Sequence, residues 1–95
     1  MINLKEVIKG SEKVLNDMGF KTKEVTDTFL NVHDDTLYVF ITPEDDILKV
    51  ELKEIALDRN MVSKIKILDT DTSQDIVNVV ERNVDTFAPE LTIVL

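Results

Sequence analysis

Thr36-Leu37-Tyr38-Val39-Phe40-Ile41 is the stretch that decides the fold, because it holds six consecutive residues suited to a β-strand. Side chains alternate between the two faces of a strand, so Leu37, Val39 and Ile41 would share one face and the two aromatic rings the other. A strand that is apolar on both faces belongs near the middle of a sheet. We therefore predict a central strand here, with the rest of the chain packed around it.

Short turns on both sides of this strand predict antiparallel neighbours. Residues 20–32 are extended, either as one long strand with a bulge near residues 26–28 or as two short strands. A turn at residues 33–35 leads into the central strand. A second turn at residues 42–46 leaves it, with Pro43 in the second position of that turn.

Three further segments are apolar or alternate with charged residues. Alternation predicts strands at residues 48–53 and 63–68, each with one buried and one solvated face. Residues 54–60 are ambiguous, and a helical turn there would carry Ile55 and Leu57 inward. Residues 91–95 are predicted as a last strand, which must be paired or covered because it is so apolar.

A first amphipathic helix is predicted from Asn3 to Gly19. Asn3 is suited to cap its start, and Gly19 is suited to the left-handed position that follows its last turn. Phe20 would then contact Leu15, as expected of a Schellman ending. Gly10 interrupts this helix and would lower its stability by up to about 1 kcal/mol relative to alanine.

A second amphipathic helix is predicted to open at Thr72, with Asp75 three residues later. Pro89 is expected to stop it. Its apolar face consists of Ile76, Val77, Val80, Val84 and Phe87.

These elements predict an α+β fold in a single domain of residues 1–95. The expected architecture is a two-layer sandwich, with a mostly antiparallel sheet of about five strands and both helices on one face. The expected order of elements is α-β-β-β-β-α-β.

Composition excludes several classes of site. The chain has no cysteine, which excludes disulfides, a thiol nucleophile and a cysteine-based zinc site. Its N-terminus lacks the basic-then-apolar pattern of a secretory signal, and no apolar run approaches the roughly 18 residues of a membrane span. We expect a cytoplasmic protein.

The net charge of −8 is concentrated in one part of the sequence. Residues 26–58 hold nine acidic side chains and two lysines, and we call the part from Asp27 to Asp58 the acidic segment. Nucleic acids and anionic membranes require clustered Lys and Arg, so neither is an expected partner. The charge instead favours a basic protein partner.

Residues 65–72, Ile65-Lys66-Ile67-Leu68-Asp69-Thr70-Asp71-Thr72, resemble the first motif of the haloacid-dehalogenase-like phosphatases, a strand leading into D-x-D-x-T. The resemblance would make Asp69 the nucleophile and Asp71 the general acid. That family needs a parallel α/β sheet and a long chain after the motif, whereas only 23 residues follow Thr72. We therefore interpret Asp69, Asp71 and Thr72 as loop and helix-cap residues.

No other arrangement of residues indicates an enzyme. His33 is the only histidine, and the two glycines are too few for a glycine-rich phosphate loop. No nucleophile elbow of the form G-x-S-x-G is present. We predict no catalytic residue, no bound metal and no cofactor.

Two non-enzymatic functions remain. In the first, the acidic segment binds a basic protein, as in an immunity protein, an anti-restriction or anti-CRISPR inhibitor, or a nucleic-acid mimic. In the second, an exposed face or edge of the sheet forms a homodimeric adaptor, a chaperone-like protein or a virion or assembly component, because two helices are too few to cover both faces. The residues expected to contact a partner are Asp34, Asp35, Tyr38, Phe40, Glu44, Asp45 and Asp46.

Overall fold

The computed structural model describes residues 2–92, which form a five-stranded sheet and two helices. In chain order the elements are α1 (Leu4–Asp17), β1 (Lys21–Thr26), β2 (Phe29–His33), β3 (Leu37–Glu44), β4 (Ile47–Glu54), β5 (Asn60–Lys66) and α2 (Ser73–Thr92). Each strand pairs antiparallel with the next one along the chain, which gives the spatial order β1-β2-β3-β4-β5. The predicted α+β class and antiparallel sheet are confirmed, and the predicted central strand is β3, the middle strand of the five.

Both helices pack on the same face of the sheet. Val39 of β3, Val7 of α1 and Val80 of α2 are completely buried in one cluster, which is the hydrophobic core. The strand side chains in this core come from alternate positions of β2, β3 and β4, as the period of a strand requires. The core consists of Val7, Ile8, Leu15, Phe20, Leu30, Val32, Leu37, Val39, Ile41, Leu48, Val50, Leu52, Ile76, Val80, Val84 and Leu91.

Residues 20–32 form two strands, so the second of the two sequence interpretations holds. A turn at residues 27–28 joins β1 to β2, and a bulge lies in β1 between Thr22 and Glu24. With this extra strand, the order of elements in the described part of the chain is α-β-β-β-β-β-α.

The predicted last strand is wrong where the structure describes it. α2 continues through Pro89 to Thr92, and residues 93–95 lie outside the described residues. Val80, Val84 and Leu91 are buried in the core at spacings that keep them on one helical face. Burial of Leu91 on this face favours continuation of the helix, and it outweighs the single hydrogen bond that a proline removes near a helix end.

The predicted turn at residues 42–46 is also too long. β3 extends to Glu44, and only Asp45 and Asp46 form the turn, with Asp45 at a φ of 53°. Pro43 lies within the strand, opposite Leu48 of β4. The pairing of β3 with β2 ends at Ile41, so the missing N–H of Pro43 falls beyond the ladder on that side.

The ends of α1 form as the sequence predicts. The Asn3 side chain accepts a hydrogen bond from the N–H of Glu6, and Gly19 has a φ of 103°. The N–H of Phe20 donates to the carbonyl of Leu15 at 3.0 Å, and the N–H of Gly19 donates to the carbonyl of Asn16 at 3.0 Å. These two bonds define a Schellman ending.

Gly10 lies where α1 approaches α2, which explains its place inside a helix. A Cβ atom built on Gly10 would lie 2.8 Å from Cγ2 of Val77. Gly10→Ala should therefore destabilise the protein by about 1 kcal/mol, because overpacking exceeds the gain in helix propensity. Urea denaturation measures this, and a more stable variant would contradict the close approach of the two helices.

α2 begins with a reciprocal cap between Thr72 and Asp75. The N–H of Asp75 donates to the Thr72 hydroxyl at 3.1 Å, and the N–H of Thr72 donates to the Asp75 carboxylate at 2.9 Å. Hydrogen bonds from the backbone and then the side chain of Thr72 lower the pKa of Asp75 below its ordinary value. The charged form therefore stabilises the folded state.

Asp75→Asn should make the protein less stable at neutral pH, and this difference should shrink in acid. A carboxylate whose pKa is lowered by folding stabilises the folded state at pH values above its pKa in the unfolded chain. This stabilisation disappears as the pH falls through the pKa of the folded state, here below about pH 4. Denaturation of both proteins at neutral and acidic pH measures the difference. A difference that did not change with pH would contradict the role of the charged cap.

Candidate functional site

The face of the sheet that points away from both helices, which we call the open face, carries a cluster of four aromatic rings. This aromatic cluster consists of Phe29 and His33 in β2 and of Tyr38 and Phe40 in β3. The ring centroids of Phe29 and Phe40 are 6.4 Å apart, those of Tyr38 and Phe40 are 5.8 Å apart, and those of His33 and Tyr38 are 5.8 Å apart. These separations are typical of interacting aromatic pairs.

Strand register brings these rings together. His33 pairs with Tyr38 and Asn31 pairs with Phe40, so the outward residues of the two strands meet as direct neighbours. The cluster is partly accessible, since all four rings are of intermediate burial. Asn31 is 9% exposed, and its Oδ1 atom has no hydrogen-bond partner within the described part of the chain.

Half of this cluster was predicted from the sequence. Tyr38 and Phe40 were expected on the second face of the central strand, and they lie there. The sequence alone does not reveal Phe29 and His33 as members of the cluster, because it places His33 in a turn and leaves the bounds of the strand before it open. The alternation of Phe29, Asn31 and His33 was the signal that could have found them.

Lysines surround the aromatic cluster on the open face. Their positions follow from the pairing of β1 with β2 and of β4 with β3 and β5. Six of the nine lysines belong to this face, together with three glutamates, which gives it a net charge of +3. Because the whole chain carries −8, the remainder of the chain carries −11. The six are Lys21, Lys23, Lys49, Lys53, Lys64 and Lys66, and the three glutamates are Glu24, Glu44 and Glu51.

Three of these lysines contact neighbouring side chains. Nζ of Lys23 lies 5.1 Å from the centroid of the Tyr38 ring, within the range of a cation–π interaction. Lys49 forms an ion pair with Glu44 at 3.7 Å, and Lys53 forms one with Asp58 at 3.7 Å. Both pairs are at least partly exposed and contribute little to stability. Charge on the open face therefore stays available to a partner.

The acidic residues expected to bind a partner do not form one surface. Asp34 and Asp35 lie in the turn between β2 and β3, whereas Asp45 and Asp46 lie in the turn between β3 and β4. Successive turns of an antiparallel sheet lie at opposite ends of the strands, so β3 separates the two groups. Asp34 has a structural role, since its Oδ1 atom accepts hydrogen bonds from the N–H of Thr36 and of Leu37.

One end of the sheet nevertheless gathers acidic residues around an apolar depression. The N–H of Ile67 donates to the carbonyl of Asp46, which places the loop after β5 against the turn between β3 and β4. The depression has a volume of about 270 Å³ and is lined by Ile2, Leu4, Asp45, Asp46, Ile67, Leu68 and Asp69.

A loop at the opposite end exposes two apolar residues. Ile55 is 46% and Leu57 is 63% exposed, so the prediction that they point inward is wrong. The cause is Glu54, whose buried carboxylate accepts hydrogen bonds from the N–H of Ala56 and of Leu57 and fixes the loop.

The D-x-D-x-T residues act in the loop and cap, as the sequence predicts. A carboxylate oxygen of Asp71 accepts a hydrogen bond from the N–H of Leu68 at 2.7 Å, and Thr72 caps α2. Among the described residues, no three acidic or histidine side chains are grouped closely enough to hold a metal ion.

Both edges of the sheet carry features that oppose pairing with another strand. β1 contains Lys21, Lys23 and the bulge, and β5 contains Lys64 and Lys66. Charged side chains and bulges at an edge strand prevent it from joining a second sheet. An interaction through the sheet would therefore use its face rather than its edges.

Comparison with protein-family models, with curated proteins and with solved structures finds no match for this chain. Within residues 2–92, no helix has both the length and the apolar character needed to cross a bilayer. Any function must therefore be argued from the site itself.

Proposed function

We propose that this chain is a non-enzymatic protein-binding module whose contact surface is the open face of the sheet. The observation that carries the proposal is the aromatic cluster on a face that no described element covers. These rings do not belong to the hydrophobic core, which lies on the other side of the sheet. Accessible aromatic residues are enriched at the centres of protein interfaces.

Phe40 is the residue on which this proposal can be tested. It contacts both Phe29 and Tyr38, so it occupies the middle of the aromatic cluster. Phe40→Ser should remain folded and should bind a captured partner about 30-fold more weakly, as expected for a central aromatic contact. Capture from a cytoplasmic extract by the immobilised chain, followed by affinity measurement with the purified partner, gives this ratio.

A matched control distinguishes the open face from the end of the sheet that carries Asp45, Asp46 and Asp69, which we call the acidic end. The variant in which Asp45 and Asp46 are replaced by serine removes charge at one end of the sheet and leaves the open face unchanged. It should bind the captured partner within about twofold of the wild type, because charges at the rim of an interface contribute little affinity. An unchanged affinity of Phe40→Ser would contradict the proposal.

A second candidate function uses the acidic end and a basic partner. The depression with an apolar floor and a rim of Asp45, Asp46 and Asp69 favours it, since a lysine or arginine side chain has an apolar stem and a cationic end. The same serine variant tests this alternative. A large loss of binding at low salt in that variant, with Phe40→Ser unaffected, would favour an inhibitor that acts on a basic protein.

A homodimer is the third outcome that the capture experiment must separate. Light scattering of the purified chain gives its mass in solution. A dimer that becomes a folded monomer in Phe40→Ser would identify a second copy as the occupant of the open face.

A further inference from the structure

We infer that the partner of the open face is an acidic amphipathic helix of another protein, an inference that rests on the proposed function. The open face carries a charge of +3 in a chain whose remaining residues carry −11. Complementary charge selects partners and speeds their association. The occupant should therefore carry carboxylates, although the whole chain is acidic.

The arrangement of the lysines indicates the shape of this partner. The aromatic cluster occupies β2 and β3. On this face β1 carries Lys21, Glu24 and Lys23, whose Nζ reaches the Tyr38 ring, and β4 carries Lys49, Glu51 and Lys53. Neighbouring strands lie about 4.8 Å apart, so β1 and β4 are separated by about 14 Å. An α-helix with its side chains is about 10–12 Å wide. A helix with an apolar stripe fits between β1 and β4 when its glutamates face the lysines of these strands and neutral residues face Glu24 and Glu51.

A second copy of this chain does not fit the open face equally well. Face-to-face contact of two copies would bring together two surfaces that each carry a net charge of +3, and Lys64 and Lys66 have no ion-pair partner among the described residues. Contact with α2 of a second copy would offer carboxylates without an apolar stripe, since Ile76, Val80 and Val84 are already buried in its own core.

Single-stranded nucleic acid also stacks on aromatic rings beside lysines, but the charge pattern opposes it. Glu24 and Glu51 lie in the same row across the sheet as Asn31 and Phe40. A phosphate backbone carries a charge at every nucleotide and would meet these two carboxylates, whereas a helix can place neutral residues opposite them and its glutamates opposite the lysines.

The test uses a short fluorescent peptide designed to form a helix with one leucine stripe flanked by glutamates. We expect it to bind the chain, to shift the backbone amide resonances of Phe29, Tyr38 and Phe40, and to bind at least about tenfold more tightly than the same peptide with glutamine for glutamate. Replacing Lys49 and Lys53 by glutamate should weaken binding by at least about tenfold. The matched control is Lys9→Glu with Lys13→Glu, which makes the same change in charge on exposed positions of α1 and should leave binding unchanged.

Four outcomes overturn the inference, and the first three separate it from the proposed function. No binding, tighter binding of a version with lysine for glutamate, or equal binding of the glutamine version would each reject an acidic partner. The proposed function would survive these results if Phe40→Ser still loses its captured protein. An oligothymidylate that binds the open face and displaces the peptide would overturn both.

Discussion

Ile41→Ala should lower the free energy of unfolding by about 3–4 kcal/mol. Ile41 is completely buried in the middle strand, between partners in β2 and β4 and beneath the helices. Removing most of its side chain would leave a cavity in a region that regular pairing on both sides prevents from collapsing. A domain of this size has a total stability of about 5–10 kcal/mol, so the variant would be close to unfolding at physiological temperature.

The neighbouring residue provides a control on the opposite face of the same strand. Phe40→Ala removes an even larger side chain, yet it should cost only about 1 kcal/mol because the ring is partly exposed and no core forms around it. Urea denaturation of both variants, with slopes compared to confirm that the folded states are equally compact, measures the contrast. Equal losses of stability in Ile41→Ala and Phe40→Ala would mean that both faces of β3 are packed alike and that the open face is not free for a partner.

This contrast also shows how much of the fold the sequence could predict. The alternation in Leu37-Tyr38-Val39-Phe40-Ile41 identified the central strand and both of its faces. The caps of both helices followed from side chains that bond to nearby backbone, namely Asn3 and Thr72. Such local interactions can be predicted because they depend on residues three or four positions apart.

The secondary structure predicted from the sequence is wrong where contacts between residues far apart in the chain decide the conformation. Residues 91–95 resemble a strand in isolation, but burial of Leu91 in the same core as Val84 extends α2 past Pro89. Pro43 is typical of a turn, but the ladder with β4 continues to Glu44 and includes it. In both cases tertiary packing outweighs the local preference of a proline.

The candidate site was only half predictable for a related reason. Charge along the sequence indicated an acidic segment, yet Lys49 and Lys53 within that segment lie on the open face, while its aspartates occupy turns at both ends of the sheet. A surface that combines β1, β2, β3, β4 and β5 can be recognised only when the register of all five strands is known. Net charge therefore pointed to a basic partner, whereas the charge of the open face favours an acidic one.

Glu54→Ala is expected to have the second-largest effect on stability, about 2–3 kcal/mol. One carboxylate oxygen accepts hydrogen bonds from Ala56 at 3.0 Å and Leu57 at 3.1 Å, and the other pairs with Nε of Arg59 at 3.2 Å. This side chain is only 8% exposed, and Arg59 also donates from Nη2 to the carbonyl of Leu91 at 2.9 Å. Its removal would therefore loosen both the loop before β5 and the end of α2.

Glu51→Ala is the matched control, because Glu51 is the same residue type in the same strand on the opposite face. Its carboxylate accepts a hydrogen bond from Asn60 at 3.1 Å in an exposed position, so the loss should be below about 1 kcal/mol. Glu54→Gln should lose an amount of stability between those of the two alanine variants. Its amide oxygen can still accept hydrogen bonds from the loop, but it cannot form the ion pair with Arg59.

Hydrogen exchange distinguishes a general loss of stability from release of the loop. If Glu54 organises the loop, exchange at the amides of Ala56 and Leu57 should accelerate in Glu54→Ala more than exchange at the buried Val39 of β3, and Glu54→Gln should restore part of the protection. Uniform acceleration at all three amides would contradict this role. The exposed Ile55 and Leu57 would then owe their positions to pairing of β4 with β5, and not to the buried carboxylate.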